Sequence, residues 1–220
     1  MIFKDRSDAG QRLAQELLYL KDLTPVILAL PRGGVPVAYE VAKELQAPLD
    51  LLFVRKIGHP KNEEFGIGAV VDDGSGRDPQ YALNDHDNRI TKIHPEYIQD
   101  TIKRQLQEIK RQRQTYLGNR KSIPLAGRTV ILVDDGIATG GTVKAALKGL
   151  QQQGVSRTIL AVPVAPPDTL DELRATGNEI VCLSSPSEFM AIGHFYNRFG
   201  QTKDSEVIKC LEEAHKFDST

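Results

Sequence analysis

The sequence predicts an α/β fold built on a mostly parallel sheet flanked by helices. Three observations predict it. Residues 26–30 (VILAL), 129–133 (TVILV) and 158–164 (TILAVPV) are short aliphatic runs with no polar alternation. That is the pattern of strands covered on both faces. Between such runs, apolar residues recur at helical spacing. Strand-like and helix-like segments alternate along most of the chain, the order that builds βαβ units.

The elements can be taken in turn. Ala9, Leu13, Leu17 and Leu20 mark a first helix, with Ser7 or Asp8 placed to cap it. The run 26–30 is the first strand. A turn, Pro31-Arg32-Gly33-Gly34, leads into a helix with Pro36 in its first turn and Val37, Val41 and Leu45 along one side. Residues 49–54 form a second buried strand, joined by a right-handed crossover. From 55 to 68 (RKIGHPKNEEFGIG) the apolar pattern stops, and the glycines and proline there predict a flexible loop. Residues 69–71 and 81–83 predict a small β-ribbon around 72–76. A polar helix at 95–116 carries Tyr97, Ile98, Ile102, Leu106 and Ile109 as its apolar side. Strand 129–133, a helix at about 141–153, strand 158–164, a short helix near 168–175, strand 180–183 and a helix at 204–215 complete the pattern. We expect one domain over residues 1–220, with a flexible loop at 55–68 and a variable insert, or hood, within 69–125.

Bulk properties narrow the function. The chain has 220 residues, 40% hydrophobic and 26% charged, enough to bury a core without disulfides or metals. Its net charge of −1 gives no global attraction to nucleic acid or acidic membrane. No apolar run approaches the roughly 18 residues of a membrane span. Cys182 and Cys210 lack ligand spacing, and the N-terminus has no basic stretch leading into an apolar one, so the expected location is cytoplasmic with reduced thiols.

The stretch 130–142, VILVDDGIATGGT, carries the strongest chemical signal. Ligands of open α/β sheets sit at the carboxyl ends of the strands, and Asp134 and Asp135 fall there. Two ionised carboxylates are pure acceptors and suit the two donors of a vicinal diol. They suit equally a divalent cation held through water. Ile137, Ala138, Thr139, Gly140, Gly141 and Thr142 then open a helix. Backbone N–H groups at a helix start, with glycines permitting close approach, make a phosphate site. A ribose 5-phosphate joins the two features. No Lys follows the glycines as a nucleotide P-loop requires, and GxGxxG is absent.

This string closely resembles the phosphoribosyl-pyrophosphate (PRPP) signature of the type I phosphoribosyltransferases. The resemblance implies their fold, a doubly wound parallel sheet with a hood. It implies transfer of the 5-phosphoribosyl group to a nitrogen nucleophile such as a nucleobase, with pyrophosphate released. Asp134 and Asp135 would hold the ribose hydroxyls and stabilise developing positive charge, and residues 137–142 would wrap the 5-phosphate. Mg²⁺ would arrive with PRPP, with Asp134 and Asp135 as the nearest protein carboxylates. The turn LPRGG resembles the family's pyrophosphate loop, so Arg32, Gly33 and Gly34 would receive the diphosphate. The segment 55–68 occupies the place of the flexible catalytic loop. Arg55 and Lys56 would act in catalysis, and Lys61 on the pyrophosphate. Glu63 and Glu64 temper that cationic character, and no role is assigned to them. The segment 186–199 (PSEFMAIGHFYNRF) lies where the hypoxanthine-guanine enzymes stack a purine, which makes Phe189 a base-stacking candidate. The Lys and Asp that read a 6-oxopurine in that family have no counterpart here. The order RKIG, GA, VDDGIATGGT and a C-terminal F-x-x-x-G-x-x-Y also resembles a group of predicted bacterial phosphoribosyltransferases of unknown acceptor.

Two other classes stay in view. A non-catalytic regulator that binds PRPP or a nucleotide would use the same loops. Lys103, Arg104, Lys110, Arg111, Arg113, Arg120 and Lys121 could then face RNA, although such a run is more often a solvated helix surface. A receiver-type phosphoacceptor pocket would need a further Asp at another strand end, which the sequence lacks. A homodimer is an expectation only, resting on the amphipathic first helix and the long polar one.

Overall fold

The computed structural model describes residues 1–72, 80–83 and 94–217. Its main sheet has five parallel strands: β1 (Val26–Ala29), β2 (Leu49–Leu51), β6 (Thr129–Val133), β7 (Arg157–Val164) and β8 (Glu179–Ser184). Their order across the sheet is β2-β1-β6-β7-β8. Successive residues of each strand feed opposite faces, which explains the uninterrupted aliphatic runs. Ile27, Ala29, Ile131 and Val133 face one core with α1 (Arg6–Leu17), α2 (Gly34–Leu45) and α6 (Asp204–Ala214). Val26, Leu28, Val130 and Leu132 face the other, with α4 (Gly141–Gln151) and α5 (Pro167–Ala175). The sheet is therefore doubly wound, as expected.

The strand order decides where a ligand belongs. The chain leaves β1 through α2 to β2 at the sheet's edge. It later returns as β6 on the other flank of β1 and continues through α4 on the opposite face. The winding therefore reverses between β1 and β6, and the loops leaving those two strands diverge from a crevice.

Three local expectations are corrected. The helix α1 is capped by Asp5, whose Oδ1 accepts from the Asp8 N–H at 3.1 Å, and not by Ser7 or Asp8. The strand expected over 49–54 divides at Leu52. Its N–H still donates to the Ala29 carbonyl, and the chain then leaves the main sheet. The loop expected over 55–68 is a β-hairpin. β3 (Phe53–His59) pairs antiparallel with β4 (Asn62–Asp72), from Phe53 opposite Asp72 to His59 opposite Asn62. An isolated antiparallel ribbon satisfies its backbone internally and needs only alternate apolar residues. Phe53, Ile57 and Ile67 supply them and are buried. The polar residues between them mimic a loop in the sequence.

The expected ribbon partner is present as β5 (Gln80–Leu83), antiparallel to β4. The turn expected around 72–76 lies mostly outside the described residues, as do the side chains of Glu63 and Glu64. α3 (Pro95–Leu117) is the long polar helix. Its C-terminal side is tied to the edge strand by two contacts. Arg120 donates to the Leu49 carbonyl at 2.8 Å, and buried Asp50 accepts from the Ile123 N–H at 3.0 Å.

Candidate functional site

Strands β1 and β6 are neighbours in space although about a hundred residues separate them in sequence. Their carboxyl ends are joined by the Leu30 N–H, which donates to the Val133 carbonyl at 3.0 Å. The turns that follow therefore lie against each other. A Cβ on Gly33 would stand 2.2 Å from Asp135 Oδ2. One on Gly34 would stand 2.8 Å from the Val133 carbonyl oxygen and 2.9 Å from the Asp134 Cα. Neither position has room for a side chain, so both glycines serve the contact between the two turns. The Gly34 N–H donates to the Leu30 carbonyl at 3.1 Å, so that amide is already committed within the turn. The Pro31–Arg32 peptide is cis.

The two carboxylates differ in environment. Asp134 Oδ1 accepts from the Asp135 N–H at 2.9 Å. Burial, and then the charge of Asp135, push the Asp134 carboxyl well above the ordinary range. Asp135 is also raised by burial, but a guanidinium pulls against that shift. That group is Arg6, at the start of α1. Its Nε donates to Asp135 Oδ2 at 2.8 Å, and its Nη1 donates to the Gly200 carbonyl at 2.7 Å. Its guanidinium carbon lies 4.0 Å from the centre of the Phe199 ring, which adds a cation–π contact. The Tyr196 hydroxyl donates to the Asp135 backbone oxygen at 2.6 Å. Sequence reasoning missed Arg6, whose distance along the chain leaves no local signal, and met Tyr196 only as the last residue of the F-x-x-x-G-x-x-Y pattern, with no role assigned to it.

The loop 137–142 is anchored below and open above. Ile137 is buried, and its N–H donates to the Val164 carbonyl at 2.9 Å. The Thr169 hydroxyl donates to the Ala138 carbonyl at 3.0 Å. Gly140 has φ +74 at the start of α4, a left-handed conformation that glycine adopts without strain. Ala138, Thr139, Gly141 and Thr142 are exposed. A Cβ on Gly141 would meet nothing within 4 Å, so space adjoins the first turn of α4. This is the geometry of an anion site at a helix start.

The remaining expected residues are more scattered. Arg32 reaches outward to Asp204, with its Nη1 3.4 Å from Oδ1. The same oxygen accepts from the Tyr116 hydroxyl at 2.8 Å. Arg55 and Lys56 lie on β3 and line a cavity against α3. Arg55 Nε donates to Gln105 Oε1 at 3.0 Å, and among the described residues no hydrogen bond or ion pair joins Arg55 to the carboxylate pair. Lys61 is exposed at the hairpin turn. Phe189 is half-buried and stacks on Phe195, with centroids 5.2 Å apart at 28°. It belongs to an aromatic cluster with Phe3, Tyr196 and Phe199, so one ring face is already covered. Four arginines of the basic run have partners among the described residues, Arg104 through the Thr101 hydroxyl. Arg111 holds Glu108 through two bonds, Arg113 holds Ser122, and Arg120 holds the sheet edge.

Fold and site define an α/β domain whose polar, glycine-rich loops gather at the switch point of a doubly wound sheet. Comparison with known proteins gives the family. The model of the phosphoribosyl transferase domain matches residues 4–193, and the chain belongs to that family. It is 44% identical over 215 residues to a Mycobacterium tuberculosis protein named "Putative phosphoribosyl transferase Rv0571c", covering 98% of this chain and 47% of that one. The chain thus spans about half the length of the curated relatives it matches. A crystal structure of TT1426 from Thermus thermophilus is 40% identical and superposes with a TM-score of 0.83, covering 97% of this chain and 99% of that chain. A shorter match, 41% over 59 residues, is to an adenine phosphoribosyltransferase of Mycoplasmopsis agalactiae. It covers 26% of this chain and 35% of that one.

Proposed function

We propose that the chain transfers the 5-phosphoribosyl group of PRPP to a nitrogen nucleophile, with release of pyrophosphate. One observation carries this reading: the carboxylate pair and the open start of α4 leave the same strand end at the switch point, packed against the turn that follows β1. The helix start would take the 5-phosphate through backbone N–H groups and the hydroxyls of Thr139 and Thr142. Asp134 would face the ribose, while Asp135 has one oxygen held by Arg6 and offers the other. The pair would also stabilise the positive charge that grows on the sugar as the leaving group departs. Arg32 would turn from Asp204 to the diphosphate, for which its fork of donors is suited. Arg55, Lys56 and Lys61 ride on the β3–β4 hairpin and would add positive charge over the leaving group.

Mg²⁺ fits this donor set as an ion shared with the ligand. The buried pair suffers like-charge repulsion that a cation would relieve, and Asp134 is the carboxylate not engaged by Arg6. Among the described residues no cluster of three or more His, Cys, Asp or Glu could hold a metal, so the diphosphate would supply most of the oxygens. Bound there, Mg²⁺ would neutralise the departing diphosphate.

The test is pyrophosphate release from Mg²⁺–PRPP across purine, pyrimidine and pyridine bases and ammonia. Gly141→Asp adds a carboxylate to the phosphate loop without a clash and should remove release at least a hundredfold. Asp135→Asn should cut it by a similar factor. Release from wild type that neither variant changes would refute the assignment. PRPP binding without release would favour the alternative, a non-catalytic regulator. An RNA-binding face is the weaker form of that alternative, because Arg111, Arg113 and Arg120 already hold protein partners.

A further inference from the structure

Arg32 belongs to a turn whose backbone is fixed and whose side chain is loosely held. Its carbonyl accepts from the Val35 N–H at 3.2 Å, and the next residue, Gly33, packs on Asp135. The guanidinium reaches outward to the start of α6, where Nη1 lies 3.4 Å from Asp204 Oδ1. Among the described residues the Arg32 side chain makes no other hydrogen bond. The distance exceeds that of an ordinary N–H···O bond. The two side chains are 38% and 51% exposed, so water competes for both partners.

Asp204 is held in place without Arg32. The Tyr116 hydroxyl donates to the same Oδ1 at 2.8 Å. Tyr116 is buried near the end of α3. Burial, and then the bond to Asp204, push its phenol up to about 12, so it remains a donor at neutral pH. Asp204 also opens α6, where the helix dipole favours a carboxylate. The two partners are therefore unequal. Asp204 keeps these anchors when Arg32 leaves, whereas Arg32 gains a second anchor only from an anion.

We propose that Asp204 is a positioning residue for the turn after β1: it holds the Arg32 guanidinium outside the site and so sets the affinity for the diphosphate that draws Arg32 away. The inference rests on the proposed function, which puts Arg32 on the diphosphate. The apparent affinity is lowered by the fraction of molecules in which Arg32 stays on Asp204. Tyr116 keeps the aspartate at α6 when the guanidinium departs, so the carboxylate does not follow it toward the negative charge of the ligand.

The test is calorimetric titration of Mg²⁺–pyrophosphate into wild type, Asp204→Asn, Arg32→Ala and the double variant. Asn keeps an oxygen for the Tyr116 hydroxyl, and thermal melts check that each variant is folded. Asp204→Asn should tighten binding by about two- to fivefold, the range that an exposed ion pair supplies. Arg32→Ala should weaken binding, and adding Asp204→Asn to it should change nothing further. With a base that supports turnover, Asp204→Asn should lower the KM for PRPP by the same factor without raising kcat. Unchanged or weaker pyrophosphate binding in Asp204→Asn would overturn this inference, and the proposed function would stand if wild type still releases pyrophosphate from PRPP. A gain that survives in the Arg32→Ala background would overturn it too, since Asp204 would then act only as a nearby negative charge. No pyrophosphate binding to wild type would also overturn it, and the release assay would judge the proposed function separately.

Discussion

At the residue scale, the informative contrast is between adjacent aspartates. Asp135 has Arg6, while Asp134 has mainly a backbone N–H. Burial raises the Asp134 carboxyl, so folding favours its protonated form. The stability this brings is fully present below the unfolded carboxylate range, near pH 4, and is lost as pH rises through the raised folded value. Above that range the cost of ionising the buried Asp134 carboxyl therefore opposes folding. Asn keeps an oxygen for the Asp135 N–H and removes the charge. Asp134→Asn should melt above wild type at pH 7, and the gap should shrink as pH falls toward 4. A variant that melts below wild type at pH 7 would mean that the charged form is the stabilising one. The same substitution should weaken PRPP binding, the usual trade between stability and a working site.

At the element scale, the hairpin is docked by apolar side chains buried in both cores, Phe53, Ile57, Ile67 and Val70 in one and Val71 in the other, and by one close backbone approach. Gly149 of α4 lies against Val71 of β4, and a Cβ there would stand 2.7 Å from Val71 Cγ1. The contact ties the ribbon that carries Arg55 and Lys56 to the helix that begins at the candidate phosphate loop. Gly149→Val should force the two apart and cost about 1–3 kcal/mol, as overpacking does. Urea denaturation reads that loss, and proteolysis near His59 should accelerate with it. An unchanged midpoint would show that the hairpin docks by other contacts.

At the scale of the whole molecule, the N-terminal segment and residues 195–200 meet beside the site. Phe3 is fully buried, and its N–H donates to the Phe195 carbonyl at 2.8 Å. Its ring lies 5.4 Å from that of Tyr196, which in turn holds the Asp135 carbonyl. Arg6 completes the link by joining α1, Asp135 and Gly200. Phe3→Ala should therefore cost about 3–5 kcal/mol, as truncating a buried aromatic does. It should also loosen Asp135, so PRPP affinity should fall with stability. A full loss of stability in denaturant with PRPP affinity intact would separate the closure from the site.

The sequence by itself determined the doubly wound sheet, because strands buried on both faces must be aliphatic throughout. It also determined the chemistry of VDDGIATGGT, because a strand end, two carboxylates and a glycine-led helix start are contiguous in the chain. The hairpin escaped it, since an antiparallel ribbon exposed on one face uses the polar and glycine-rich residues that also make loops. Only the tertiary structure decided that PRGG lies against the aspartates, because β1 and β6 become neighbours through strand order. Only it decided that Asp135 has an ion partner, because Arg6 arrives from 129 residues away along the chain. Contacts at such separations follow from packing and topology, and no local pattern of residues records them.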